Sequence, residues 1–236
     1  MCYPCPRTVL LPFSPDRTFA TINSLLLAFS AVSVWESFGS AEEAVVNEAN
    51  TVGALARDLA VFGSPEAAGA RAMLRQYAEM VIADECPTMQ RGEADVKTWT
   101  LFDQTFRAIA TLDVETTRHE TLMYEIFQRT NELLKQRRTR LYTATSEVPG
   151  TLWAVVLIGT VLSMATTVVL PPTRFNLAMV GGLALSIGLV FYFIVAMDRP
   201  FAGKESISVA PFQSAIESMM RWDREVEAPP GATAAP

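Results

Sequence analysis

LWAVVLIGTVLSMATTVVL (Leu152–Leu170) and NLAMVGGLALSIGLVFYFIVAM (Asn176–Met197) stand almost back to back, and neither contains a charged residue. A hydrocarbon core about 30 Å thick is crossed by about 20 apolar residues of helix. Between the two runs lies Pro171-Pro172-Thr173-Arg174-Phe175. Consecutive prolines stop a helix, because proline lacks the N–H and its ring clashes with the preceding turn. The chain is therefore expected to cross a membrane, turn at once and cross back, as a hairpin over residues 151–198. The alternative, a hairpin buried in a large soluble core, accounts poorly for two adjacent uncharged runs of spanning length.

The hydrophobicity of this 236-residue chain is unevenly spread. It concentrates near residues 19–38 and 152–197, and the remainder has an ordinary polar, helical composition. One compact helical domain plus a membrane part fits the length. The formal net charge of −6 argues against nucleic acid as a partner, which calls for a basic face. Three cysteines are present, Cys2, Cys5 and Cys86, and the one histidine is His119. The Cys2-x-x-Cys5 pair resembles half a zinc or redox site, but a second half is missing, so no metal or other cofactor is expected.

Residues 1–18 contain four prolines and no periodicity, and read as an irregular arm. Phe19–Phe38 is a third membrane candidate, interrupted by polar residues. On a helix Asn23, Ser30, Ser33 and Ser37 share one stripe. A polar stripe on a membrane helix faces protein or water rather than lipid. It serves either close helix packing, the commoner use, or the lining of a pore, where Phe29 would join it.

Residues 39–150 form the helical domain. Ser40-Ala-Glu-Glu43 fits a capping box that starts a new helix, unless the membrane helix runs on unbroken. Ser64-Pro65 marks a second helix start, ending near Cys86-Pro87. A third helix lies near Asp95–Leu112, and a long fourth runs from a cap at Asp113 to about Tyr142. No strand alternation and no phosphate loop is visible. Glu48, Asn50, Arg57 and Asp58 cluster in sequence, yet read as helix-surface charges and interhelix hydrogen bonds. His119 reads as part of a solvated face. Without a nucleophile–base pair, the chain is not expected to be an enzyme.

Lys135, Arg137, Arg138 and Arg140 approach the hairpin, which by the positive-inside rule makes that end cytoplasmic. Residues 39–150 and 199–236 then share the cytoplasmic side of a multi-pass protein of the cell membrane. Each hairpin helix carries a row of small residues: Gly159, Ser163 and Thr167 on the first, Ala178, Gly182 and Ser186 on the second. Such rows let helices approach closely in lipid, so both are expected to face protein. Beyond Met197, residues 199–227 hold a short amphipathic helix near 213–224 lying at the surface, and 228–236 read as a disordered tail.

LLLAFSAVSVWESF followed by VVNEANTVGALARDL resembles the second membrane helix and following segment of the bestrophin-like family of mostly bacterial membrane proteins. The Glu48-Ala49-Asn50 triplet, Arg57-Asp58-Leu59, LRQYAEMVI, Leu152-Trp153 and above all Asp198-Arg199-Pro200-Phe201-x-Gly203 are similar to that family's pattern, over about residues 25–220. The resemblance implies an all-α integral membrane protein in which helix pairs flank a cytoplasmic helical domain, in a bacterial inner membrane. Here about three transmembrane helices are expected, the domain being inserted between the first and the final hairpin. The family's first helix is missing, its place taken by the proline-containing arm. Either the start is truncated or this member has lost a helix. Kinship with bestrophins implies an oligomeric channel or transporter for chloride-like anions, although the family's apolar neck of clustered aromatics is reduced to Phe29. Three spans cannot enclose a pore alone, so a homo-oligomer in the lipid bilayer is expected. The alternative is a membrane-anchored interaction or sensing protein whose helical domain binds another protein.

Overall fold

A computed structural model describes residues 15–91, 93, 95–145, 148–168, 171–202 and 206–227. The described residues are helical and include no strand. The first fourteen residues, Gly203 and the 228–236 tail lie outside them.

Helix α1 runs unbroken from Pro15 to Phe62. It starts within the stretch read as an arm, at a proline, whose fixed φ suits a first helical turn. The capping box at Ser40 is not used. The Ser40 hydroxyl instead donates back to the Glu36 carbonyl at 2.9 Å, a bond available only inside a helix. Ser24, Ser30 and Thr51 donate in the same way to Ala20, Leu26 and Asn47. Gly63 ends the helix at φ 79°, its N–H donating to the Leu59 carbonyl, where a side chain would be strained.

Helix α2 (Pro65–Met80) opens as its sequence predicts, with the Ser64 hydroxyl accepting from the Ala67 N–H at 3.1 Å. It does not end at Cys86-Pro87. A π-helical turn (Val81–Glu85) leads into α3 (Cys86–Met89), with Pro87 in the first turn of α3. Proline is tolerated there because those N–H groups lack helical partners in any case. Helix α4 (Val96–Ala110) is capped by Asp95, which accepts from the Thr98 N–H at 2.7 Å. Helix α5 (Thr117–Thr145) starts four residues after Asp113, and Thr116 supplies the cap by accepting from the His119 N–H. Then come α6 (Gly150–Thr167), α7 (Arg174–Met197) and α8 (Ala210–Glu227).

Among the described residues, three segments are long and apolar enough to span a membrane: Ala20–Phe62, Thr117–Thr167 and Arg174–Met197. The apolar stretches within the first two are the N-terminal half of α1 and the whole of α6.

The chain divides into two compact units, and α1 contributes to both. One comprises residues to Val34 together with Val148–Ile194. In it Gly159 of α6 lies against Asn23 of α1, so closely that a Cβ at 159 would meet the Asn23 side chain. Asn23 Nδ2 also donates to Thr160 Oγ1 at 3.4 Å. Trp153 stacks on Phe191 with ring centroids 6.1 Å apart.

The other unit comprises Trp35–Glu147 and the chain from Val195 onward. Its core is built from Ala41, Val45, Val52, Leu55 and Leu59 of α1, Leu74 of α2, Ile109 of α4, Ile126 and Leu133 of α5, and Phe212 and Met219 of α8. The last two correct the reading of the C-terminal helix. It spans Ala210–Glu227, and its apolar face is in the core rather than lying on a surface.

Candidate functional site

Inside the larger unit, Glu48, Glu85, Arg137 and Arg140 all have 0% of their surface exposed. Two carboxylates face two guanidiniums, so the buried charge balances. Arg140 binds Glu48 with a two-pronged contact, Nε to Oε2 at 2.6 Å and Nη2 to Oε1 at 3.1 Å. Its Nη2 also reaches Glu85, and its Nη1 lies 2.8 Å from Met89 Sδ. Arg137 pairs with the other oxygen of Glu85. The Tyr77 hydroxyl donates to Glu48 Oε1 at 2.5 Å.

Among the described residues, the Nε and Nη1 groups of Arg137 have no hydrogen-bond partner. Its guanidinium instead rests among aromatic faces, 4.9 Å from the Trp99 ring centroid, 5.9 Å from Tyr77 and 6.0 Å from Phe102. The negative ring faces replace part of the hydration that the cation loses. Phe212 of α8 lies similarly, 5.9 Å from Arg140. Burial, and then the Glu48 charge, push the Tyr77 hydroxyl well above its usual pKa, with the two arginines acting in opposition. Burial also raises the Cys86 thiol beside the cluster.

The π-turn places Glu85 here. At about 100° per residue, a regular α-helix would align Asp84 within about 20° of Tyr77 and rotate Glu85 about 80° away. The wider turn takes up one extra residue, so Glu85 is buried and Asp84 is exposed. Arg137 and Arg140 are not free charges flanking the membrane, as their place before the hairpin suggests. They belong to this cluster, which leaves Lys135 and Arg138 as the exposed members of that group. Glu48 is likewise no surface charge.

The other residues singled out by sequence divide between the units. Asn23 and Ser30 are buried in the smaller unit, whereas Phe29, at 64% exposure, and Ser33 are uncovered. Ser37, in the larger unit, is half-buried. Gly159 and Ser163 lie on the covered side of α6, but Ala178, Gly182 and Ser186 on α7 are exposed in the single chain. The Asn23 Oδ1 and Ser163 Oγ atoms are buried without hydrogen-bond partners among the described residues. Among the described residues no group of His, Cys, Asp and Glu side chains is arranged to hold a metal.

Compared with protein families, residues 17–212 match the bestrophin-like domain. The chain belongs to the bestrophin-like family. Comparisons with curated proteins and with solved structures gave no match.

In this bestrophin-like chain, three of the four residues Glu48, Asn50, Arg57 and Asp58 brace α1 against α2, α5 and α8. Glu48 reaches Tyr77 of α2 and Arg140 of α5. The Arg57 guanidinium lies 5.0 Å from the Trp222 ring of α8. Asp58 pairs with Arg129 of α5. Asn50 is exposed. In the segment after α7, Pro200 and Phe201 are buried, Asp198 is half-buried and Arg199 exposed. The Pro200 carbonyl accepts from the Ile207 N–H at 2.9 Å. His119 is not simply solvated, since its ring stacks on Phe62 at 4.5 Å.

Chemically, the cluster is sealed and already neutral. It offers no nucleophile to solvent and no open ligand position, and its arrangement suits a structural joint. A buried ionic group contributes less net stability than its contacts suggest, and more to fixing one arrangement of the helices it joins.

Proposed function

We propose that this protein is an oligomeric channel or transporter that passes chloride-like anions. The observation that carries the reading is the bestrophin-like domain over residues 17–212, together with three helices of spanning length. The uncovered Phe29 and Ser33 of α1 and the exposed small-residue row of α7 support it, because both are available to neighbouring copies in a bilayer. The sequence's charge bias supports a multi-pass arrangement in a bacterial inner membrane, with residues 39–150 and 199–236 on the cytoplasmic side. No catalytic activity is proposed.

Two measurements test this together: light-scattering mass of the purified protein, corrected for detergent, and chloride efflux from liposomes containing it. A closed oligomer with efflux above that of empty liposomes is expected, and Phe29→Ala or Ser33→Ala should change that efflux. A monomer with efflux equal to empty liposomes overturns the reading.

A second reading is favoured by the size of the larger unit, which has its own core from Ala41 to Met219. This is a membrane-anchored interaction protein. A partner recovered in fixed proportion with silent liposomes would favour it over transport.

A further inference from the structure

A groove of about 700 Å³ runs between α2 and α8, lined by Ala68, Arg71, Ala72, Arg75, Met219, Met220, Asp223 and Arg224. We propose that this groove binds a phosphate monoester carried on a small apolar body.

Its charge is uneven. Arg71 and Arg75 both bind the one carboxylate in the groove, Asp223, the second of them at 3.4 Å. Arg75 also has Glu79 at 3.8 Å on its own helix. Arg224 adds a third guanidinium, whose Nε donates to the Met220 carbonyl at 3.3 Å. Three cations therefore meet two carboxylates, only one of which lines the groove, in a chain whose net charge is −6.

Arg71 and Arg75 are one helical turn apart, and like charges at that spacing repel. An added dianion relieves the repulsion that one Asp223 carboxylate only partly offsets. Guanidinium forks match phosphate oxygens in pairs, which favours phosphate over a point charge such as chloride. The Arg71 side chain has only 17% of its surface exposed, so its charge is partly removed from water, where a second acceptor counts for more. The alanines leave room, and the two methionines offer an adaptable apolar floor. The volume lies within the range of small-molecule sites. The inference does not depend on the transport reading.

The test uses the full chain in a neutral detergent, with phenyl phosphate as the probe and inorganic phosphate as its comparison, followed by titration calorimetry. Saturable binding of phenyl phosphate is expected, tighter than that of inorganic phosphate and weakened by salt. Arg224→Gln leaves both Asp223 ion pairs in place and should weaken binding about tenfold, the worth of one charge-assisted contact. Arg75→Gln should do likewise. Trp222 fluorescence and an unchanged melting temperature report that α8 remains docked in each variant. Ala72→Leu, which fills the groove without touching charge, should also weaken binding. Absence of saturable binding to the wild-type chain overturns the proposal, as does wild-type affinity retained in both Arg224→Gln and Ala72→Leu. The phosphate could belong to a lipid headgroup or to a soluble ester. In phosphatidylcholine vesicles containing a minor fraction of phosphatidic acid, loss of phenyl phosphate binding assigns the lipid source. Retained binding assigns the soluble one.

Discussion

At the residue scale, the charge cluster makes the sharpest predictions. Removing one member leaves its partner buried and unpaired, which costs about 3–5 kcal/mol. Glu48→Ala, which leaves the two buried guanidiniums of Arg137 and Arg140 facing the single Glu85 carboxylate, should therefore sharply lower the melting temperature in detergent. The double variant Glu48→Met/Arg140→Met should recover part of that loss, measured by the same unfolding curve. Tyr77→Phe deletes one hydrogen bond to a carboxylate and should cost about 1.5–3 kcal/mol near neutral pH. It should also change the alkaline limb. The folded-state pKa of Tyr77 is raised above the unfolded value near 10, so its hydroxyl stays protonated in the folded chain. Its contribution is fully present below the unfolded pKa and is lost as pH rises from there toward the folded one. A pH–stability profile should fall above about pH 10 in the wild type and fall less steeply in Tyr77→Phe. Equal slopes would remove Tyr77 from the account. Glu48 was legible in principle. Ala41, Val45, Glu48, Val52, Leu55, Leu59 and Phe62 follow alternating steps of four and three, and all are buried. The acid stands in an apolar seam, and its charge masked its register.

At the element scale, the π-turn and the two small-residue rows behave differently from what composition alone says. Deleting Ala83, an exposed residue inside the π-turn, should convert the turn to α-helix while bringing Glu85 to the seam position in line with Tyr77. A folded protein with near wild-type stability is expected, whereas deleting a residue from the middle of α2 should abolish cooperative unfolding. The rows on α6 and α7 look alike in sequence, but a Cβ at Gly159 meets Asn23, and one at Gly182 meets nothing within 4 Å. Gly159→Val should lower the yield of folded protein. Gly182→Val should spare the single chain and, if α7 contacts another copy, reduce the oligomer mass seen by light scattering. Helix existence was legible from periodicity and the Ser64 cap from chemistry, whereas the cap expected at Asp113 is supplied by Thr116. The π-turn was not, because an extra residue leaves no composition signature. Nor was the continuity of α1, because a capping-box sequence does not forbid a helix from passing through it.

At the scale of the whole molecule, apolar side chains remain uncovered along α1, α6 and α7, among them Leu25, Phe29, Ile158, Val161, Leu185 and Leu189. Soluble proteins rarely leave such contiguous bands exposed. The chain should therefore stay in the membrane pellet after a carbonate wash, with release into the supernatant counting against spanning helices. That architecture was the most legible part of the sequence, since an uncharged run of spanning length has few other uses. The charge cluster adds a constraint on synthesis. Glu48 and Arg140 are 92 residues apart in the chain. At about 5–20 residues per second, the ribosome leaves α1 with an unanswered acid in its apolar seam for roughly 5–18 s. The early helices thus wait for α5 before they close, and ribosome-bound chains halted before Arg140 should remain open to protease along the second half of α1.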